Sequence, residues 1–534
     1  LLVLACAVPL AYSFYTDHIW EDSFITLRHS ENLLRGDGLV FNPGERVHGF
    51  TSPINVLLLA VCSLLTGQTS YVATFWLYRL PCIVAFVAGC VLVARRLWAQ
   101  TPTHPLLCAG AFSLLYVFDL KMVAFSTNGM ETAFMLLFLG GALSRLILED
   151  PSPWMARGLY WGGLMWSRPD GCVYIAALTV VDLLFSPGVR GKLLGSLAKS
   201  ALLCAVVYLP WFGFAWSYYG SPIPQTVVAK GPAELGIGQR IAGVFDFFLF
   251  MECAKSAFCP IYGSFDEGRW LDNPLALGLL NFLSRGASIF CLIYWMFPVK
   301  DRWGRAASLC FVFITLYFTF MRFPSPWYLP PATLLALVAL TCGVFELSDV
   351  TFVRSCTAPQ GRLHPLAYVV LVLLIGGQIT LCALNALEMR IRQTEIEMGS
   401  RYEIGMWLRH HGRSTESVYL EPLGYVGYFS GMHMIDWPGL VAPQVVKMRR
   451  ERQIGQFAMI FAIRPDWVVL RKRELELFGP LREQLDRDYA LENVFDATRQ
   501  LEQHRLIPGK SFLYVDAVFG VFRRRDLRTD DFRY

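Results

Sequence analysis

Up to about residue 388 the chain alternates long apolar runs with short polar breaks, and beyond that point the pattern changes. A helix needs about 20 apolar residues to cross a bilayer. Runs near 1–16, 71–94, 105–120, 129–148, 200–218, 275–297, 304–321, 326–347 and 365–387 meet or approach that length. Two shorter runs between 154 and 186, WMARGLYWGGLMW and CVYIAALTVVDLLF, are broken by Ser167-Arg168-Pro169-Asp170-Gly171. Counted as two short helices, they bring the expectation to about eleven transmembrane helices. The run PINVLLLAVCSLL (53–65) reads as an interfacial or re-entrant helix. The opening run has no A-x-A-like cleavage site and reads as part of a first membrane helix.

After 388 come charge runs (KMRRER, RKRELE, FRRRD) and strand-like pieces: SVYLEP, HMIDW, DWVVLR and FLYVDAVFGVFRR. Strands interleaved with helical patterns such as EIGMWLRHH predict a small α/β or α+β domain. The expected organisation is a polytopic α-helical membrane domain over 1–388, with exoplasmic loops 17–70 and 219–274, followed by an exoplasmic α/β soluble domain over 389–534. Orientation follows from Lys and Arg. Arg95-Arg96, Arg145/Arg157, Arg190/Lys192/Lys199, Lys300/Arg302/Arg305 and Arg354/Arg362 fall in alternate loops, and placing those in the cytoplasm satisfies the positive-inside rule.

Composition supports the membrane reading: 54% of residues are hydrophobic and only 17% charged, with a mean hydropathy of +0.42. A net charge of +5 without a basic domain gives no footprint for nucleic acid. The fourteen cysteines are scattered through apolar segments, and none lies beyond Met389. Cys253 and Cys259 share a predicted extramembrane loop, which fits a disulfide or two free thiols equally.

Candidate chemistry concentrates in the first outward loop, DHIWEDSFITLRHSENLLRGDGLVFNPGERVHGFTSP. A helix from about Ser23 to Leu34 places Asp22, Thr26 and His29 on one side. Gly36 and Gly38 end it, and Asn42-Pro43-Gly44 makes a turn. Glu21 and Asp22 can cap this helix and complement its dipole, or they can face a lipid-linked substrate as a general base or a seat for a divalent cation. Spacing alone fits both. His29 and His48 form no metal-binding spacing and read as solvated loop residues.

The string EDSFITLRHSENLLRGDGLVFNPGERVHGFTSPINVLLLA resembles the first exoplasmic loop of the GT-C glycosyltransferases, in particular the branch containing the mycobacterial terminal arabinofuranosyltransferases. That branch carries an acidic pair, then R-x3-N, then G-x-G-x-V-x-N-x-G-E-x-V-x-G-x-T. Arg28 and Asn32 match the R-x3-N; Gly36, Gly38, Val40, Asn42, Gly44, Glu45, Val47, Gly49 and Thr51 match the rest. The pair is usually Asp-Asp, so Glu21 departs from the pattern and Asp22 is the stronger base candidate. Four further stretches keep the family's order: Asn128-Gly129-Met130-Glu131-Thr132, the Arg168-Pro169-Asp170-Gly171 break, Gly220–Lys230 with Gln225 in place of Asn, and LGYVGYFSGMHMIDWPGLVAP (423–443).

The resemblance implies a GT-C membrane enzyme of the bacterial cytoplasmic (inner) membrane. It would move a sugar, arabinofuranose by analogy with that branch, from a polyprenyl-phosphate donor to a cell-envelope glycan or glycoconjugate acceptor on the periplasmic or extracellular side. Asp22, with Glu21 beside it, would act on the acceptor, and Lys230, Gln225, Thr226 and Arg322 would hold the donor phosphate. Arg28, Asn32, Glu45, His48, Thr51, Glu131 and Asp436 would contact substrate; no cofactor is implied with certainty, and a divalent cation (Mg or Mn), if one is used, would sit on Asp22 and Glu21.

Plainer roles stand beside these. Lys230 can meet lipid headgroups, Glu131 can answer a helix dipole, Arg168 and Asp170 can pair across a break at membrane depth, and Asp436 can start a turn before Pro438-Gly439. Two rivals remain. A flippase of polyprenyl-linked sugars would need buried charge strings and related helical halves, which the sequence lacks. A non-catalytic assembly or receptor protein would leave the acidic pair replaceable.

Overall fold

The computed structural model describes residues 1–100, 104–147, 153–186, 190–230, 236–250, 274–321, 325–349 and 365–527. The chain forms two compact units. The first contains Leu1–Tyr15, Tyr78–Trp211 and Leu235–Ala386; the second contains Thr16–Leu77, Phe212–Glu234 and Leu387–Tyr534.

The first unit is helical. Every apolar run named above coincides with a helix, among them Leu2–Thr16, Tyr71–Gln100, Arg190–Tyr219, Arg302–Met321, Leu329–Asp349 and Pro365–Ile391. The Leu329–Asp349 helix is apolar all round, and Leu334 through Ala339 are almost wholly buried, which is how such a helix avoids water. It packs on Arg302–Met321. Among the described residues, five helices are long and apolar enough to cross a membrane, or seven when each bent pair counts as one span. The count falls short of eleven because segments such as Thr132–Leu143, Trp154–Ser167 and Gly171–Phe185 have only 12, 14 and 15 residues. At the break between the last two, Arg168 Nε bonds Asp170 Oδ1 at 2.8 Å and Nη1 bonds Glu131 Oε1 at 3.0 Å. Its guanidinium also lies 4.0 Å from the Tyr328 ring centre. The expected Arg168–Asp170 pair therefore exists, and Glu131 completes it.

The second unit is built on a five-stranded sheet ordered β2-β1-β3-β5-β4. Strands β1 (Ser417–Leu420), β2 (His433–Asp436) and β3 (Trp467–Arg471) are parallel, while β4 (Tyr489–Asp496) and β5 (Val518–Arg524) join antiparallel. Four strands match the sequence reading. The fifth, β4, is an edge strand whose Leu491 and Val494 are exposed, so its buried face gives too weak an alternation to read.

The first loop belongs to this unit, not to the membrane domain in which it was expected. The reason is a shared core: Ile25 and Phe41 from the loop pack with Val418, Leu420, Met434 and Val441. Asn42 completes the join by exchanging bonds with the Met434 backbone, donating to its O (2.9 Å) and accepting from its N–H (3.0 Å). The Glu21–Arg35 helix ends at Gly36, whose φ of 89° suits glycine alone at no cost. It packs on the short Gly424–Ser430 helix and on Pro53–Leu65.

Gly424 marks the closest approach. A Cβ there would collide with the Glu21 carbonyl oxygen and lie 2.7 Å from its carbonyl carbon. Because the obstacle is backbone, Gly424→Ala is expected to cost about 1–3 kcal/mol of stability, read as a lower melting temperature of the purified protein in detergent. An unchanged melt would refute this close packing.

Candidate active site

Glu21 and Asp22 stand in the first turn of the Glu21–Arg35 helix, where the dipole favours anions. The N-cap of this helix is Trp20, whose side chain makes no capping hydrogen bond. Glu21 instead serves a neighbour. Its Oε1 accepts from the Gly424 N–H at 2.8 Å, and its Oε2 lies 3.9 Å from Arg401 Nη1. Asp22 is partly buried, and among the described residues no group hydrogen-bonds its carboxylate. Burial pushes the Asp22 carboxyl above the ordinary aspartate range, and the charge of Lys230 is the chief opposing influence. Burial also pushes Glu21 up, to about 8, against the pull of Arg401.

Lys230 ends a six-residue helix, Gln225–Lys230, which follows Pro222 and Pro224. Gln225 closes the start of that helix: its N–H donates to His48 O at 2.9 Å and its Nε2 to Gly439 O at 3.2 Å. Its amide is thus used within the fold and does not point to a phosphate. Thr226 is buried, and among the described residues its hydroxyl has no partner. Arg322, Cys253 and Cys259 lie outside the described residues.

Several residues expected at substrate hold the loop together instead. Arg28 is buried, donates to the carbonyls of Gly427 and Met432, and stacks over Phe41. Asn32 Nδ2 donates to Val40 O and Phe41 O at 2.9 and 3.0 Å. Asp436 is fully buried and accepts from the N–H groups of Gly439, Leu440 and Val441 at 2.6–3.0 Å, so it organises a turn and does not line a groove. His48 stacks on Tyr219 with ring centres 4.7 Å apart. His29 bonds Ile25 O at 2.8 Å through Nδ1. Both histidines are buried, so neither is the solvated loop residue expected, and burial pushes them down, to about 4 for His29 and about 3 for His48. Glu45 sits 3.2 Å from His433, whose hydrogen bond holds the Glu45 carboxyl below its usual range. Thr51 precedes Ser52, which caps the Pro53–Leu65 helix through Asn55 N. Glu131 falls in the other unit, paired with Arg168.

Sequence reasoning missed a buried ion network behind Glu21. Arg401 Nη1 lies 2.9 Å from both oxygens of Glu397, and its Nη2 lies 2.7 Å from Asp516 Oδ2. Arg392 Nε reaches Glu397 at 2.8 Å, and Arg471 bridges Asp516 and Glu421. Arg392 and Glu397 lie on a π-helical stretch, Arg392–Tyr402, whose wider turn brings residues five apart together. The one legible signal was Glu397 four residues before Arg401, which reads equally as a solvated pair. Burial pushes the Asp516 carboxyl up, but Arg401 and Arg471 reverse this and hold it well below the usual range.

Residues 388–514 match a domain of unknown function, DUF8728. The chain is 29% identical over 255 residues to the terminal β-(1→2)-arabinofuranosyltransferase of Corynebacterium glutamicum, covering 43% of this chain and 35% of that one. It is 31% identical over 264 residues to the protein of the same name from Mycobacterium tuberculosis, covering 44% and 38%. The chain therefore spans little more than a third of the length of these curated relatives. Among solved structures, ArnT from Cupriavidus metallidurans bound to undecaprenyl phosphate superposes with a TM-score of 0.52 over 97% of both chains at 14% identity. The Archaeoglobus fulgidus oligosaccharyltransferase tethered to an acceptor peptide gives 0.52 over 92% of this chain and 72% of that chain at 11% identity. The chain has a GT-C-type fold.

On this GT-C fold the two acidic residues are not equivalent. Glu21 is tied to a backbone N–H and a guanidinium, while among the described residues no group hydrogen-bonds the Asp22 carboxylate. Among the described residues no group of three or more His, Cys, Asp or Glu side chains forms a metal site. A cation would find only this pair, with Glu21 already engaged.

The Glu21 proton gives a stability test. Its folded value of about 8 exceeds its ordinary 4.5, so between those pH values the folded chain binds the extra proton and stability falls as pH rises. Glu21→Gln, which cannot ionise, is expected to lose less melting temperature than the wild type across that window. An equal decline in both would show that Glu21 keeps no raised proton affinity.

Proposed function

We propose that this chain is a glycosyltransferase that moves a sugar from a polyprenyl-phosphate donor to a glycan or glycoconjugate acceptor, with Asp22 as general base. The observation that carries the reading is the state of Asp22: it is partly buried, unbonded among the described residues, and under the influence of the Lys230 charge. The named relatives supply the sugar, arabinofuranose, and the undecaprenyl phosphate held by ArnT supports a polyprenyl-phosphate donor.

In the reaction an Asp22 oxygen takes the proton of the acceptor hydroxyl as that oxygen attacks the anomeric carbon. The bond from that carbon to the phosphate oxygen breaks, and the electron pair leaves with polyprenyl phosphate. The Lys230 ammonium stabilises the charge that collects there, with Arg322 a candidate second cation. A single displacement of this kind inverts the anomeric centre. The helical unit provides apolar surface for the isoprenoid tail. About eleven membrane segments remain the reading of the sequence, and the positive-inside pattern favours a first loop and a C-terminal domain on the periplasmic or extracellular side of a bacterial cytoplasmic membrane.

A transfer assay in membranes with radiolabelled polyprenyl-phosphate arabinose tests this. Asp22→Asn is expected to lose at least about a hundredfold in rate. Transfer surviving in that variant would remove Asp22 from the base role, and labelled lipid crossing the bilayer without transfer would make the protein a flippase. The pH profile gives a second test. The active form of Asp22 is the carboxylate, so activity rises with pH through a limb above the ordinary aspartate range. Lys230→Met removes a cation that favours the carboxylate, so the limb is expected to move to higher pH. A limb that stays in place would mean that Lys230 does not act on the base.

A further inference from the structure

The charge run KMRRER (447–452) resembles a solvated helix face, but two of its arginines turn inward. Arg449 Nη2 donates to Ala229 O at 2.6 Å, and Arg450 Nη2 donates to Val228 O at 2.5 Å. Those carbonyls belong to the last turn of the Gln225–Lys230 helix. A helix leaves its last four carbonyls without internal partners, and one of six residues is too short to hold itself together in isolation. The two guanidiniums satisfy two of these orphans and oppose the negative end of the helix dipole.

Arg449 is itself braced. It donates to Pro438 O at 3.3 Å and lies 5.5 Å from the Trp437 ring centre. At the opposite end of the short helix, Gln225 Nε2 holds Gly439 O. In the last turn the Ala229 side chain is also buried in the core with Leu440, Val441 and Val446. One continuous stretch of the C-terminal segment, 437–450, therefore grips both ends of the element that carries Lys230.

We propose that Arg449 and Arg450 are positioning residues that fix the Lys230 ammonium, and through it the donor phosphate, by clamping the last turn of the Gln225–Lys230 helix. The phosphate half of this statement rests on the function proposed above; the clamp does not. Two readouts separate them. The first is the rate at which an amine-reactive acylating reagent modifies Lys230, followed by peptide mass spectrometry on the full-length protein in detergent. Arg449→Met/Arg450→Met is expected to raise that rate about tenfold, with Arg450→Lys, which keeps a donor for Val228 O, close to the wild type. An unchanged rate in the double variant overturns the clamp, whether or not the protein transfers sugar. So does an Arg450→Lys rate equal to that of Arg450→Met.

The second readout is kinetic. The double variant is expected to raise the donor KM about tenfold with kcat much less affected, and to add little to Lys230→Met, because both changes act on one ammonium. A full, undiminished effect of the arginine changes in the Lys230→Met background would mean that they act elsewhere. Failure of the wild type to transfer sugar would defeat the proposed function while leaving the acylation result to decide the clamp.

Discussion

The Arg401 guanidinium is the point on which the second unit turns. It is almost wholly buried, and a buried charge is tolerated only when it is paired and hydrogen-bonded. Its partners come from distant places: Glu397 from the stretch after the last apolar helix, Asp516 from the segment before β5, and, more distantly, Glu21 from the first loop. Removing one partner of such a group typically costs about 3–5 kcal/mol, because the remaining charge is stranded. The three segments are therefore held as one body by electrostatics as well as by their common core. The net contribution of the network to stability is a separate matter, since desolvation offsets much of the attraction. What it provides is a defined place for Glu21.

That placement separates two adjacent carboxylates by role. Glu21 spends one oxygen on a backbone N–H and faces a guanidinium with the other, so it behaves as a structural anchor. Asp22 is carried by the same helical turn, and among the described residues no group hydrogen-bonds its carboxylate. The Lys230 helix is likewise held at both ends, by Gln225, Arg449 and Arg450.

Much of this was legible in the sequence. Apolar run length located most helices of the first unit but not Leu120–Thr127 or Ile237–Phe250, the turn chemistry of Gly36 ended the Glu21–Arg35 helix where expected, and short apolar pieces located four of five strands. The motif string also pointed to the right fold. What spacing does not distinguish is a residue that makes chemistry possible from one that performs it. Arg28, Asn32 and Asp436 match the motif, yet their polar atoms are consumed by backbone groups of the same unit. The network of Arg392, Glu397, Arg401, Arg471 and Asp516 was invisible because its members lie up to 124 positions apart in sequence within this one cluster (516 less 392), and each alone looks like a surface charge. β4 was missed because an edge strand with exposed apolar residues has little alternation to offer.

The joining of Glu21 to Arg401, and of Arg401 to Asp516, also has a meaning in time. A ribosome reaches Asp516 only 495 residues after Glu21 (516 less 21), which at ordinary elongation rates is about 25–100 s. Over that interval the first loop meets its partners in turn, Pro53–Leu65 first and β1 and β2 far later, while the Arg401 network behind Glu21 stays one carboxylate short until Asp516 is added. Its Glu21–Arg35 helix gains its neighbours in stages, first Pro53–Leu65 and then the Gly424–Ser430 helix. The loop that carries the acidic pair therefore has its full set of charged neighbours only once the segment leading into β5 has been made.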